Sequence, residues 1–366
     1  MRVFSRWEAC YYLIYRLSLS LQILRTTQTV SERFIESSFC KEDTAYEVPL
    51  RPQHLEHFIG QDNVRDQMSV LIQAAQARKE PLGHVLFCGP PGLGKTTLSH
   101  IIASSMGSSI TITSGPVIEK AGDLAGILTK LKEGDILFID EIHALNRTIE
   151  EYLYPAMEDF ALDLVIDSGT SARSVKVKLN KFTLVGATTR LGLLSAPLRS
   201  RFSSSMRLDY YDPAVIQQIL LRSSKILNMN ADSESLAEIA NRSRGTPRIA
   251  NSLLRWVRDY AQIKANGNLT KKVTQDALKM ISIDERGLDE MDSKILKVLI
   301  DHYQGGPVGI QTLAVAVGEE PHTLEEVHEP FLIMQGLIKR TPRGREATGL
   351  AYQHLGKQIP KAHTEV

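Results

Sequence analysis

The stretch HVLFCGPPGLGKTTL, residues 84–98, decides the fold. Its first five residues form a mostly apolar run of strand length, and the loop GPPGLGKT joins that run directly to a segment with helical periodicity. This is the G-x-x-x-x-G-K-[ST] pattern in its strand–loop–helix context, where glycines let backbone N–H groups converge on phosphates at a helix N-terminus. Lys95 would reach the β- and γ-phosphates, and Thr96 would offer its hydroxyl to Mg²⁺. The sequence therefore predicts a nucleotide-binding site.

Two further apolar runs of strand length follow this loop, ILFID at 136–140 and TLVGA at 183–187. Such runs are typical of strands that are covered on both faces in a parallel sheet. Amphipathic stretches at 64–77 and 97–105 accompany them, so strand and helix alternate between about 46 and 212. We predict an α/β domain with a parallel sheet and helices on both faces.

The remainder of the chain is predicted to form two smaller domains. Between 213 and 284 only helix-type periodicity occurs, which indicates a small all-α domain. From 285 to 358, three helical stretches at 291–303, 310–317 and 323–335 precede two extended pieces at 337–341 and 346–352. That order is typical of a winged helix-turn-helix, although another small α+β domain would also fit it. Residues 359–366 are interpreted as a tail.

Composition excludes several classes of protein. The chain has 366 residues with a net charge of +1, so nucleic-acid binding would need a local basic patch. The 3 cysteines show neither disulfide-framework nor zinc-site spacing, and a cytoplasmic location is expected. Residues 1–45 are predicted to be a poorly ordered extension. Their apolar run at 10–24 contains Arg16, is shorter than the ~20 residues of a spanning helix, and lacks a cleavage site, so no membrane role is expected.

Two adjacent carboxylates, Asp140 and Glu141, end the ILFID run. At the carboxyl edge of a parallel sheet, Asp140 can hold the Mg²⁺ shell while Glu141 activates the water that attacks the γ-phosphate. This arrangement predicts hydrolysis in addition to binding. The alternative is an exposed acidic pair at a strand end, which is common.

Hydroxyl and guanidinium groups could complete such a site. Thr188 and Thr189 end the third strand and are suited to orienting the water or sensing the γ-phosphate, although threonines are also ordinary capping residues. Arg199, Arg201 and Arg248 could stabilise the charge that develops during phosphoryl transfer. For each arginine, a surface salt bridge is the competing interpretation.

Two further segments point to partners. Residues 163–181 have alternating character on either side of a Gly-Thr-Ser turn, which predicts a projecting β-hairpin or an inert sheet insertion. Lys339, Arg340, Arg343 and Arg345 cluster on the predicted wing. Such a cluster would neutralise phosphates without reading sequence, or it would simply be a solvated run of charge.

Taken in order, the P-loop, Asp-Glu strand end, Thr-Thr strand, SRF and GTPR resemble the AAA+ ATPases. Within them, GPPGLGKTTL, FIDEIHALNR, GATTR, RSRGTPRIA, GGPVG and RTPRGR resemble the bacterial RuvB family, over more than 300 residues. That family drives branch migration of Holliday junctions. The resemblance implies an AAA+ ATPase domain over 46–212, a helical lid domain over 213–284 and a DNA-binding winged helix over 285–358.

The resemblance also assigns roles to matching positions. Asp140, Glu141, Thr189, Arg201 and Arg248 would be catalytic, with Arg201 inserted into a neighbouring subunit's site and Arg248 acting as the second sensor. Mg²⁺ would be held at Thr96 and Asp140, and Arg340, Arg343 and Arg345 would contact DNA. The implied nucleotide contacts are Leu50, Arg51, Gly92, Gly94, Lys95, Thr96, Thr97, Glu158, Asp159, Phe160, Tyr211 and Arg248.

The implied cofactors are ATP and Mg²⁺, and the implied assembly is a homohexamer around duplex arms of Holliday-junction DNA. The 163–181 hairpin would dock onto a RuvA tetramer, and the RuvC nuclease would join the larger complex. The implied activity is that of an ATP-driven DNA translocase. Two alternatives from other classes are a clamp-loader-like ATP switch that remodels a protein partner on DNA, and a DNA-bound regulator carrying an ATP switch.

Overall fold

The computed structural model describes residues 48–165 and 174–359. The chain forms two compact units. The P-loop unit comprises the described residues up to Ile226 together with Gly245–Arg248, and the C-terminal unit comprises Leu227–Arg244 and the described residues from Ile249 onward. The predicted extension at 1–45 and most of the predicted tail lie outside the described residues.

A five-stranded parallel sheet organises the P-loop unit, with strand order β2-β3-β6-β1-β7. The strands are β1 Val85–Cys88, β2 Ile110–Ser114, β3 Ile136–Asp140, β6 Thr183–Thr188 and β7 Ser204–Arg207. Strands β1 and β6 are buried along their whole length, as is β3 up to its final residue, which agrees with their continuous apolar sequence. The prediction of an α/β domain with a parallel sheet is confirmed.

Helices connect these strands, because parallel strands can be joined only by crossovers. Those between β1 and β7 are α2 Lys95–Met106, α3 Ala121–Leu128, α4 Arg147–Glu158 and α5 Ala196–Arg199, while α1 Asp62–Arg78 precedes β1 and α6 Pro213–Ile226 follows β7. A core of leucine, isoleucine and phenylalanine side chains packs α3 and α4 against the sheet. Burying each such side chain stabilises the fold by roughly 1.5–3 kcal/mol relative to exposing it.

His84 fixes α4 to the sheet. Its Nδ1 accepts a hydrogen bond from the Leu184 N–H at 2.9 Å, so Nε2 carries the proton and donates to the Met157 carbonyl at 3.0 Å. Burial lowers the pKa of this imidazole, because the charged form would lose its hydration. His84 is therefore a neutral structural bridge between β6 and the end of α4.

Strands β4 Ala161–Val165 and β5 Ser174–Lys178 form a separate antiparallel pair, with Ala161 opposite Lys178. They lie in the segment predicted to form a hairpin. The turn predicted at its tip falls outside the described residues.

The C-terminal unit contains a helical segment followed by a hairpin-bearing segment. Its elements are β8 Asn230–Ala231, α7 Ser233–Arg242, α8 Pro247–Lys264, β9 Asn268–Leu269, α9 Lys271–Met280, α10 Glu290–Asp301, α11 Ile310–Val317, α12 Pro321–Thr323, α13 Glu329–Met334, β10 Ile338–Thr341, β11 Gly344–Ala347 and α14 Gly349–His354. The first turn of α8 belongs to the P-loop unit. The antiparallel β10–β11 hairpin follows the helices, as a winged helix requires.

A buried charge cluster joins the two segments of the C-terminal unit. Arg244, which precedes α8, forms ion pairs with Asp289 and Asp292 at the start of α10. His328 completes the cluster with its Nδ1 2.7 Å from an Asp292 oxygen, and Asp292 raises the pKa of the imidazole against the opposing effect of burial. Each charge in this cluster is thus compensated by at least one opposite charge.

Two details of the C-terminal unit differ from the sequence prediction. The helix predicted over 323–335 contains a π-helical turn, Leu324–His328, in which the Glu329 N–H bonds to the Leu324 carbonyl. Pro330 explains it, because proline has no N–H to donate to the fourth residue before it. The extended piece predicted over 346–352 is wrong beyond Ala347, because α14 begins at Gly349 and buries Ala351 and Tyr352 against the core.

Within the described ranges, the helices lack the combination of length and apolar character that crossing a membrane requires.

Candidate nucleotide-binding site and basic wing

The P-loop has a backbone that only glycine adopts readily. Gly89, Gly92 and Gly94 have φ angles of +138°, +76° and +107°, in the region that side chains with a Cβ rarely occupy. At Gly89 a Cβ would also lie 2.2 Å from the Leu208 carbonyl oxygen. The loop therefore ends β1 in a tight turn and begins α2 at Lys95, with Thr96 and Thr97 half-buried in its first turn.

Lys95 lies inside this loop. Its Nζ donates to the Gly89 and Pro90 carbonyls at 2.8 and 2.9 Å. Burial lowers the pKa of Lys95, while the negative charges of Asp140 and Glu141 act in the opposite direction. The ammonium group thus lies at the carboxyl edge of the sheet. Because little water screens its charge there, its attraction for a phosphate would be strong.

The two carboxylates stand at the end of β3. The Asp140 side chain is half-buried, and burial together with the neighbouring Glu141 charge raises its pKa. Asp140 Oδ1 accepts the Glu141 N–H at 3.0 Å. Glu141 itself has φ +45° and ψ +46°, a left-handed backbone that is uncommon outside glycine and is found in strained functional sites.

The end of β6 contacts Glu141. Thr189 Oγ1 donates to Glu141 Oε2 at 3.2 Å. Thr188 is fully buried, and its Oγ1 lies 2.9 Å from His143 Nδ1, while the same nitrogen lies 3.2 Å from Glu141 Oε2. The strand order that puts β6 beside β3 brings these four side chains together. Sequence analysis singled out Glu141 and both threonines but missed His143, which lies in the same motif.

Arg248 lies against the P-loop. Its N–H approaches the Gly92 carbonyl at 3.4 Å, and a Cβ on Gly92 would lie 3.1 Å from the Arg248 Cβ. Arg248 is also close enough to affect the charge states of Lys95 and Asp140. The predicted second-sensor arginine therefore lies beside the phosphate-binding loop.

Three further predicted nucleotide contacts lie in the same unit, and one of them, Tyr211, contacts the P-loop. Tyr211 is buried, and its hydroxyl donates to the Leu93 carbonyl of the P-loop at 3.0 Å; burial raises the pKa of this phenol. Leu50 is buried, and its carbonyl accepts from Arg222 at 2.7 Å. Arg51 follows it and is half-buried.

The predicted finger, Arg201, contacts one of the three nucleotide contacts predicted at 158–160. Its guanidinium donates to Glu158 at 3.2 Å and to the Pro197 carbonyl at 2.6 Å, and it stacks 4.4 Å above the Tyr154 ring centroid. Glu158 and Asp159 at the end of α4 are exposed. The neighbouring Phe160 instead turns its ring into the core beside His84 and Phe182. The structure thus groups Glu158 with Arg201.

On the wing, the three predicted DNA contacts differ from one another. Arg343, at the hairpin turn, is exposed, and Arg340 is 63% exposed. Arg340 lies 3.6 and 3.8 Å from carboxylate oxygens of Glu325 and Glu329. Arg340 and Arg343 are thus the exposed members of the three.

Arg345 is buried, which differs from the expectation of a solvent-facing cation. Its Nε and Nη2 donate to Glu329 at 3.1 and 2.8 Å, and Nη2 also reaches Glu325 at 2.8 Å. The two carboxylates raise the pKa of Arg345 against the effect of burial. Residues 340 and 345 are opposite each other in the β10–β11 ladder, yet only Arg340 points to solvent. In this conformation the two glutamates engage Nε and Nη2 of Arg345, and the DNA contact expected of this residue stays a prediction.

Comparison with known proteins covers nearly all of the described chain. Residues 50–208 match the family model of the Holliday junction DNA helicase RuvB P-loop domain. Residues 211–284 match the RuvB AAA lid domain, and residues 285–356 match the RuvB C-terminal winged helix domain.

Individual relatives agree with these matches. The Holliday junction branch migration complex subunit RuvB of Protochlamydia amoebophila is 66% identical over 326 residues, which is 89% of this chain and 98% of the relative. The same subunit of Parabacteroides distasonis is 57% identical, covering 85% of this chain and 92% of the relative. Among solved structures, the Thermotoga maritima RuvB Holliday junction branch migration motor is 48% identical with a TM-score of 0.77, covering 85% of this chain and all of that one. The chain belongs to the RuvB family and has that family's P-loop, AAA lid and winged-helix domains in order.

Proposed function

We propose that this chain is the ATP-driven motor that pulls duplex DNA to migrate Holliday junctions. The observation that carries the proposal is the convergence, in one unit, of the P-loop lysine, the Asp140–Glu141 pair, Thr189 and Arg248. A separate wing exposes Arg340 and Arg343. The first set supports ATP hydrolysis, and the second supports DNA binding without sequence readout.

At the nucleotide, each side chain has a role that follows from its position. The P-loop N–H groups and Lys95 bind the phosphates, with Thr97 beside them in the first turn of α2. Glu141, held by Thr189, orients and deprotonates the attacking water. Arg248, against Gly92, stabilises negative charge on the γ-phosphate.

A magnesium ion fits the residues at the end of β3. The pKa of the Asp140 carboxylate is raised by burial and by Glu141, so a nearby cation would favour its ionised form. The Thr96 hydroxyl and the Asp140 carboxylate are the hard oxygen ligands that Mg²⁺ prefers. When bound, Mg²⁺ would neutralise charge on the phosphate oxygens.

We further propose that the active assembly is a homohexamer in which Arg201 acts in a neighbouring subunit's site. The contacts of Arg201 with Glu158, Pro197 and Tyr154 place it in a group distinct from the P-loop of the same chain. Glu158 and Asp159 lie at the end of α4, near Arg201, and would contribute nucleotide contacts. Leu50, Arg51 and Tyr211 would form the base end of the site. An arginine supplied in trans makes hydrolysis depend on assembly.

The relatives are named as subunits of a branch migration complex, and partners of this chain are proposed on that basis. The β4–β5 hairpin, a separate antiparallel pair, would dock onto a RuvA tetramer. RuvC would join the larger complex, and duplex arms would contact the wing. The domain boundaries at 212 and 284 are proposed as the limits of the ATPase, lid and DNA-binding parts.

The proposal is tested with a synthetic four-way junction, ATP, Mg²⁺ and a junction-binding RuvA partner. Conversion of the junction to duplex products should require all of them, and ATP turnover should rise with DNA. E141Q should bind ATP and DNA but release no products. If turnover ignored DNA and the junction stayed intact, the clamp-loader-like alternative would replace the motor.

A further inference from the structure

We propose that His143 is a positioning residue for Glu141, holding the water-activating carboxylate together with Thr189. The inference rests on the proposed role of Glu141 in hydrolysis. His143 lies in the short turn Ile142–Ala144 that follows β3, two residues beyond Glu141.

One oxygen of Glu141 has two polar side chains beside it. Glu141 Oε2 accepts a hydrogen bond from Thr189 Oγ1 at 3.2 Å, and His143 Nδ1 lies 3.2 Å from the same oxygen at ion-pair distance. Thr189 follows the end of β6, and His143 lies in the turn after β3. A hydrogen bond and a charge contact at one oxygen restrict the carboxylate, so that the other oxygen is oriented for the water.

The protonation of the ring follows from its neighbours. Thr188 Oγ1 accepts the Arg190 N–H at 3.0 Å and lies 2.9 Å from His143 Nδ1. If Nδ1 were unprotonated, its lone pair would face the Glu141 carboxylate at 3.2 Å, which is repulsive. In the Nδ1–H tautomer the proton faces both oxygens, and this is the tautomer that the proposal uses.

Glu141 needs such external support because of its backbone. Its φ of +45° takes the chain sharply away from β3, and its carbonyl is bonded to the Ala144 N–H at 2.8 Å. These contacts fix the main chain, while the side chain extends from the sheet with 37% exposure. His143, only 13% exposed and in contact with buried Thr188, is the more rigid partner.

The experiment compares H143A with H143N in the full-length protein with DNA, Mg²⁺ and RuvA present. Asparagine places an amide N–H near the position of Nδ1, whereas alanine removes the donor. H143A should lower kcat for ATP by about 10–100-fold with nucleotide Kd unchanged within about 2-fold, because a small misplacement of a catalytic group costs rate rather than binding. H143N should recover most of that loss. H57A, at an exposed histidine of the same unit, is the matched control and should retain full kcat.

Two further variants separate this inference from the proposed function. E141Q must abolish turnover if Glu141 is the water-activating group; retained turnover there would refute the proposed function itself. With E141Q inactive, full kcat in H143A would overturn the positioning role. T189V and H143A should also couple in a double-mutant cycle, since both side chains act on one carboxylate, and simple additivity of their effects would contradict the shared role.

Discussion

The nucleotide site and the basic wing are both short, charged motifs, yet the chain positions their side chains in different ways. At the nucleotide site, Lys95, Asp140 and Thr189 are placed by strands and by a loop whose conformation its glycines permit. On the wing, Arg340 and Arg345 occupy paired positions in one hairpin, but one is exposed and the other is buried against Glu329. Residue spacing therefore predicts the position of a side chain where the backbone determines it. It does not predict whether a side chain is exposed or buried where a neighbouring helix, such as the one that carries Glu329, determines this.

The largest expected effect separates binding from hydrolysis at the nucleotide site. R201A should bind ATP normally but lose about 10³–10⁵-fold in kcat, because an arginine finger stabilises only the transition state. Steady-state turnover and a fluorescent-nucleotide titration measure the two properties.

Mixing R201A with E141Q supplies the control for that prediction. In mixed assemblies, some boundaries carry an intact arginine on one side and an intact glutamate on the other, so partial turnover should return. Absence of rescue in well-mixed assemblies would mean that Arg201 acts within its own chain.

The second prediction concerns the buried member of the wing. R345A should reduce the free energy of unfolding of the C-terminal unit by about 3–5 kcal/mol, because it removes both hydrogen bonds that the buried Glu329 carboxylate accepts from Arg345 and leaves only the longer contact with Arg340. The double variant R345M/E329Q should lose much less, since no buried charge remains. Denaturant titration measures both, and equal losses would show that the ion pair is not what Arg345 contributes.

The third prediction returns to the P-loop. K95A should weaken nucleotide binding by roughly 100-fold, because a charge-assisted hydrogen bond to phosphate contributes up to about 3 kcal/mol. Isothermal titration with an ATP analogue measures it. Tight binding by K95A would refute the assignment of the loop, provided the variant retains its far-ultraviolet circular dichroism.

The fourth prediction addresses the exposed wing cations. R343A and R340A should each lower duplex affinity similarly for all sequences and reduce the slope of log K against log salt by about 0.9, the value for one lost phosphate contact. R147A, a 91% exposed arginine outside the wing, is the control and should leave the slope unchanged. Sequence-dependent losses in R340A would indicate base contacts instead.

The smallest effects are expected at two buried histidines, whose pKa values shift in opposite directions. Because the folded pKa of His84 is lowered, the stability gained from its neutral form is present above about pH 6.5 and is lost as pH falls below that value. Because the folded pKa of His328 is raised, its contribution is present below about pH 6.5 and is lost as pH rises through the folded value.

Hydrogen exchange, corrected for intrinsic rates, measures this difference. Amides of β6 should lose protection on acidification, and amides at the start of α10 should lose it as pH rises through the raised pKa of His328. Parallel trends in both segments would show that one of the two directions is wrong.

Much of the fold and of the nucleotide site could be predicted from the sequence, because their determinants are local. The apolar runs predicted strands β1, β3 and β6. Because these strands pair in parallel, their carboxyl ends lie at one edge of the sheet. His143 was missed because its importance depends on contacts with Thr188 across strands, which spacing along one motif does not reveal. The positions of Arg345 and of the π-helical turn depend likewise on tertiary neighbours and on Pro330.

The order of strands in the sheet has a consequence for the nucleotide cleft. Strand β6 lies between β1 and β3, so β1, which leads into the P-loop, and β3, which ends at Asp140, are two ladder spacings apart, about 9–10 Å. The width of the cleft is therefore set by the main chain, through the peptide hydrogen bonds on both sides of β6. Side-chain substitutions can change the chemistry of the cleft without changing its width. A wider or narrower cleft would require a different strand order in the sheet.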